Sequence, residues 1–325
     1  MKHNILVCIL CAAVANSVFA HGFQKQDVQN LAKAYGYISA QNLVLDQIKN
    51  KYPQLITQRG IFIGKWNQRF PAAKEKIVKH LGCFNLTESQ VIREMKSYKD
   101  YSYIVQQNSV KSLEDAQARL EYFDYRLTHP TANDIEIFKI IDDAVFNDDP
   151  VGEYLTNKVE YSTNGHPKSQ GLDVRLYIPN SWQRAEGRRP HIVQKWTKVD
   201  DGNSIFALVM ISDPTGVSLS DLKSSVKTGE VWELLTENVG TLREKGISKF
   251  INMGRFPALY ISGLVESEQL NTTVYTDMHQ IWIPVRGQLV LIQFNYSSGS
   301  PEATKQLALK YQAQRQLIAS SVYIH

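Results

Sequence analysis

The amino-acid sequence predicts an α+β protein, with an N-terminal all-helical domain followed by an antiparallel β-sheet flanked by helices. Three observations predict it. Apolar residues between 24 and 146 recur at helical spacing, as in Leu113, Ala116, Leu120, Phe123 and Leu127. Beyond about 170 the pattern changes to alternation, as in Leu172, Val174, Leu176 and Ile178. Two apolar runs, Val274 to Pro284 and Gln288 to Tyr296, flank Arg286-Gly287, where glycine supplies the positive φ of a tight hairpin.

Residues 1–20 read as a cleavable signal peptide. Lys2 is the positive start, Ile5 to Val14 the apolar run, and Val18-Phe19-Ala20 the small-residue cleavage site before His21. That run is too short to span a bilayer, which needs about 20 apolar residues, and no later segment reaches that length. The expectation is an exported chain, periplasmic or secreted, with no transmembrane segment. Cys8 and Cys11 leave with the signal. Cys83 then stands alone, so an intramolecular disulfide is excluded and Cys83 is expected to be a buried structural thiol.

The helical domain is expected over 21–146. Val28, Leu31, Tyr35, Ile38 and Leu45 form the first stripe, and Tyr52-Pro53 ends that helix. Leu55, Phe62, Trp66 and Phe70 make the next, with Gly60 and Gly64 four apart to allow a close helix approach. A helix break is expected at Gly82. Thr87-x-x-Gln90 reads as a capping box ahead of Val91, Met95 and Tyr98. Ser112 caps the clearest amphipathic helix, which His129-Pro130 ends. Ile135, Phe138, Ile141 and Val145 mark one more.

The sheet domain is expected over 147–325, after a break marked by Asn147, Asp148, Asp149 and Pro150. Strands are expected at Lys158 to Ser162, Leu172 to Ile178, His191 to Thr197, Ile205 to Ile211 and Ala258 to Glu266. Asp200-Asp201-Gly202-Asn203 reads as a hairpin turn. Ser220 is expected to cap a helix through Leu222, Val226, Trp232 and Leu235. Ser300, with Pro301 at the first helical position, opens a last helix carrying Ala303, Leu307, Tyr311 and Ile318. Placing Arg286-Gly287 at the turn centre pairs Ile283 with Val290, Ile281 with Ile292 and His279 with Phe294. The opposite face carries Met278, Gln280, Trp282, Leu291, Gln293 and Asn295, and turns polar away from the turn. A wet ligand cleft is expected there, at Gln280, Gln293 and Asn295.

The segment Leu176-Tyr177-Ile178-Pro179-Asn180-Ser181-Trp182 resembles the strand and P-x-x-W opening of PsbP-like domains. The late hairpin and the closing helix before Ser321-Val322 are similar to the end of that fold. The resemblance covers about 160 to 325 and implies an α/β/α sandwich, an architecture shared with a eukaryotic Ran-binding import factor, and a non-enzymatic binding role. Tyr35-Gly36-Tyr37, Lys51-Tyr52-Pro53 and the run from Pro190 to Lys195 also resemble a group of uncharacterised exported bacterial proteins with a helical N-terminal region.

The chain has 325 residues, 43% hydrophobic and 21% charged, with a formal charge of +4. This is ordinary globular composition. The basic residues are spread along the chain, so a nucleic-acid-binding stripe is not expected. No G-x-S-x-G, H-E-x-x-H or glycine-rich phosphate loop occurs, which removes the motif-bearing hydrolases and nucleotide enzymes. The resulting reading is an exported, non-enzymatic binding or accessory protein, without catalytic residues or cofactor, monomeric, whose partner is an unknown protein or small molecule. The alternative is a divalent-metal-dependent hydrolase or metal-binding protein. Its candidate ligands are Asp142, Asp143, Asp148 and Asp149, whose oxygens suit calcium, or His166, His191 and His279, whose imidazoles suit zinc. Against the metal, the acidic group reads as a solvated helix end and His279 as a core histidine.

Overall fold

The computed structural model describes residues 25–83, 109–185, 187, 189–200, 202–214, 216–236, 239–269 and 272–325. It is α+β, with a helical N-terminal region and then antiparallel sheet with flanking helices. The chain divides into two compact units, one ending at Asn157 and the other beginning at Lys158. The Thr87-x-x-Gln90 capping box and the stripe after it lie outside the described residues, as do residues 1–20 and the side chain of Cys83.

The helical unit contains α1 (Lys25–Lys51), α2 (Ile56–Arg69), α3 (Ala73–Cys83), α4 (Leu113–Thr128), α5 (Ala132–Phe146) and α6 (Pro150–Thr156). Two apolar cores hold the first five. One joins Tyr35 and Ile38 to Phe70, Ile77, Phe138 and Ile141. The other joins Val44 and Ile48 to Phe62, Ala116 and Leu120. The Ser112 hydroxyl accepts from Asp115 N and starts α4, as the sequence indicates. Two local expectations do not hold. Helix α3 runs through Gly82 to Cys83, since one helical glycine costs only about 1 kcal/mol against alanine. A Cβ on Gly60 or Gly64 would meet no described atom within 4 Å, so these glycines bring no described helices together. The unit also runs past the compositional break, because Asp149 and Pro150 open a helix: Asp149 Oδ1 accepts from Gly152 N at 2.8 Å and Pro150 occupies the first turn.

The sheet unit begins with β1 (Lys158–Ser162), β2 (Val174–Pro179), β3 (Gln183–Ala185), β4 (Ile192–Asp200) and β5 (Asn203–Ile211). Helices α7 (Leu219–Thr228) and α8 (Glu230–Thr236) follow, then β6 (Thr241–Met253), β7 (Phe256–Gln269), β8 (Thr272–Val285) and β9 (Gln288–Ser298). Helices α9 (Pro301–Lys310) and α10 (Gln312–Ser320) and the short β10 (Tyr323–Ile324) close the chain. A seven-stranded antiparallel sheet has the order β3-β4-β5-β9-β8-β7-β6, and a small sheet the order β1-β2-β10.

The β8–β9 register is the expected one: His279 opposes Phe294, Ile281 opposes Ile292 and Ile283 opposes Val290. Arg286 (φ 51°) and Gly287 (φ 78°) form the turn, both with the positive φ that matches the strand twist. One face of the sheet packs Leu208, Met210, Met278, Trp282, Leu289 and Leu291 against Leu222, Val231, Leu234 and Leu235 of α7 and α8. On the other face α9 packs on β8 and β9.

Three details depart from the sequence reading. Ser218, not Ser220, caps α7 in a capping box with Asp221. Gly229 (φ 81°) ends α7 and separates it from α8. Strand β6 had no sequence signal, because it is a charged edge strand whose alternation is broken by irregularities at Leu242/Glu244 and Lys245/Ser248.

Candidate functional site

The three residues expected to line a wet cleft are buried among the described residues. Gln280, Gln293 and Asn295 are 1%, 0% and 1% exposed, and they satisfy one another. Trp282 Nε1 donates to Gln280 Oε1 at 2.7 Å. Gln280 Nε2 donates to Gln293 Oε1 at 3.0 Å, and Gln293 Nε2 donates to Asn295 Oδ1 at 2.9 Å. Side chains two apart or directly opposite on one pleated face meet, so the amides form a ladder across β8 and β9. Burial is tolerable because the amide groups pair internally. The ladder is a structural element facing the α7 and α8 side.

The acidic candidates serve as anchors. Asp142 is fully buried rather than solvated, and Arg69 grips it with two hydrogen bonds of 2.9 Å. Lys79 pairs with Asp148, Asp149 caps α6, and Asp143 is itself engaged. His166 Nδ1 accepts from Lys168 N at 3.1 Å, and His191 Nε2 lies 3.9 Å from Asp213. Among the described residues, no three His, Cys, Asp or Glu side chains come together as a metal site.

The opposite face of the sheet carries the unit's most organised group of titratable side chains. His279 is 7% exposed and centred on β8. Asp277 lies two residues earlier and so projects from the same face. Tyr296 of β9 opposes Asp277. On β7, Ser262 opposes His279, and Tyr260, two residues away on that face, reaches it diagonally. Tyr260 Oη and His279 Nδ1 are 2.7 Å apart. Asp277 Oδ1 lies 3.3 Å from His279 Nε2. That contact is electrostatic: Nε2 is buried and its alignment with Asp277 is too poor for a hydrogen bond. From α10, the Arg315 guanidinium sits 5.5 Å from the Tyr296 ring centre, and its Nη1 is buried without a hydrogen-bond partner. Lys249 of β6 lies 5.7 Å from the Tyr260 ring centre.

Burial pushes the His279 pKa down; Asp277 opposes this and Arg315 adds to it. The imidazole is therefore neutral at pH 7. The Asp277 carboxylate beside Nε2 favours the proton on that nitrogen, leaving Nδ1 to accept from the Tyr260 hydroxyl. Burial pushes the Tyr296 phenol up to about 12, although Arg315 pulls the other way. His279 was assigned by register to the apolar face, which is where it lies. Tyr260, Asp277 and Arg315 were not found from sequence. The pairing of β7 with β8 and the packing of α10 bring them together, and only the Asp277-x-His279 spacing on one strand is a local trace.

Among the described residues, no helix is long and apolar enough to cross a membrane. No family model matches the sequence, and no curated protein matches it either. Among solved structures, the chain is similar to LpqN, described as involved in cell envelope biogenesis of Mycobacterium tuberculosis. The identity is 18%, over 51% of this chain and 91% of that chain, with a TM-score of 0.31. At that overlap the likeness assigns neither a family nor a role.

Proposed function

We propose that this is an exported, non-enzymatic binding or accessory protein. In this reading residues 1–20 direct export and are removed, a helical domain follows as far as Asn157, and a PsbP-like binding domain runs from Lys158. Lys2, the apolar run Ile5 to Val14 and Ala20 support export. The polar group on the face shared by β7, β8 and β9 supports binding.

The observation that carries the reading is a contrast between the two sheet faces. The buried amides on the α7 and α8 side are paired through to Asn295. On the other face His279 Nε2 and Arg315 Nη1 are buried donors without hydrogen-bond acceptors. Buried donors are rarely left so, and an acceptor on a ligand would complete them. Tyr260 and Asp277 are half-buried and give the approach from solvent.

The test is thermal melting of the protein against a panel of small molecules, beside the Arg315→Leu variant. A ligand at a hundred times its Kd stabilises by about 2.7 kcal/mol. The reading expects a compound that raises the wild-type midpoint and leaves the variant unmoved. Equal shifts in both proteins, or none in either, count against it. Export is checked separately by N-terminal sequencing of protein recovered from outside the cytoplasm, with His21 expected first.

A further inference from the structure

We infer that Tyr260 is a nucleophile activated by His279 as general base, with Asp277 as a positioning residue, and that it takes an acyl group from activated esters. The inference rests on the Tyr260–His279–Asp277 geometry and concerns one stoichiometric acyl transfer onto the protein rather than turnover, so it stands apart from the non-enzymatic binding reading. The hydroxyl of Tyr260 lies 2.7 Å from His279 Nδ1, within the reach that proton abstraction requires. The other nitrogen of the same ring lies 3.3 Å from the Asp277 carboxylate. A nucleophile and a base within hydrogen-bond reach are two parts of an activated-nucleophile arrangement, and here the third group, Asp277, acts on the base by its charge alone.

Three further features fit. The base is buried and neutral, the state in which it can accept a proton. The nucleophile is only half-buried, and the exposed Lys249 places its ammonium 5.7 Å from the Tyr260 ring centre. Helix α9 packs chiefly on β8 and β9 rather than on β7, where Tyr260 lies.

The step is written for p-nitrophenyl acetate. Tyr260 Oη attacks the acetyl carbon as its proton passes to His279 Nδ1. The bond from that carbon to the aryl oxygen breaks, and p-nitrophenolate leaves with the electron pair. The resulting imidazolium faces Asp277 and returns its proton to solvent. The product is O-acetyl-Tyr260.

The experiment exposes the full chain to p-nitrophenyl acetate and follows acetylation of each tyrosine by peptide mass spectrometry. Tyr260 should label first, ahead of the exposed Tyr122, Tyr125 and Tyr323. Its rate should level off by neutral pH, because the base is already deprotonated there, whereas ordinary phenols keep gaining reactivity up to about pH 10. Tyr260→Phe removes the label. His279→Gln slows Tyr260 labelling on the order of 10²-fold, with folding checked by circular dichroism. Asp277→Asn gives a smaller fall and moves the pH profile. If Tyr260 labels no faster than Tyr122 and Tyr125, or its rate climbs with the ordinary phenol titration, the assignment is overturned. The wild-type pH profile decides the matter even where His279→Gln does not fold. A failed ligand screen leaves this result untouched, and absence of labelling leaves the binding reading untouched.

Discussion

Arg69 closes on Asp142 through two parallel hydrogen bonds of 2.9 Å, and the carboxylate it holds is fully buried. Removing the cation strands a buried charge, which typically costs about 3–5 kcal/mol. Arg69→Leu is therefore expected to lower the unfolding free energy of the helical unit by that amount, read from urea denaturation. Calcium should not shift the wild-type melting temperature, because Asp142, Asp148 and Asp149 already have partners. A calcium-dependent rise would return the acidic group to the list of metal ligands.

The amide ladder makes a second prediction. Gln293→Leu leaves the Gln280 amide nitrogen only Met278 Sδ at 3.3 Å as acceptor and strands the Asn295 carbonyl, and each lost partner costs roughly 1–3 kcal/mol. Adding Gln280→Leu should cost less than the sum of the single changes, since both act on one bond. Strict additivity in a double-mutant cycle would show that the ladder is not coupled.

The β8–β9 turn makes a third. Gly287 has φ 78°, so Gly287→Val is expected to cost about 1–2 kcal/mol. Arg286 also has positive φ, at 51°. Arg286→Asn, which places the favoured Asn-Gly pair in the turn, should be neutral or stabilising. Chemical denaturation of the two variants checks both signs.

The cluster on β7, β8 and β9 predicts a pH window. The folded state holds His279 below its usual value, so its contribution is present above the unfolded pKa of about 6.5 and is lost as pH falls below it. The folded state raises Tyr296 to about 12. Its contribution is present below the unfolded phenol pKa of about 10 and is lost as pH rises from there toward about 12. Stability should therefore peak between about 6.5 and 10. His279→Gln should flatten the acid limb and Tyr296→Phe the alkaline limb, each read from urea midpoints across pH. An unchanged acid limb in His279→Gln would place that titration on another group.

Much of the architecture was legible because each relevant signal is local. Ser112 and Ser300 mark helix starts by their own side chains. Arg286-Gly287 fixes the turn, and the turn fixes which residue faces which along β8 and β9. Strand β6 was illegible for an equally local reason: an exposed charged edge, broken by bulges, has no apolar alternation to read.

The sequence by itself determined the fold class, the late hairpin register and the face on which His279 lies, since periodicity and turn chemistry act between near neighbours. Only the tertiary structure decided which polar residues are internal ties and which gather around His279. Gln280, Gln293 and Asn295 look solvated in sequence, yet they pair with one another inside the unit. Tyr260, Asp277 and Arg315 look ordinary, yet strand pairing and helix α10 gather them around one imidazole and its neighbouring phenol. Polar side chains take their chemistry from partners distant in the chain, and spacing along one segment carries no record of those partners.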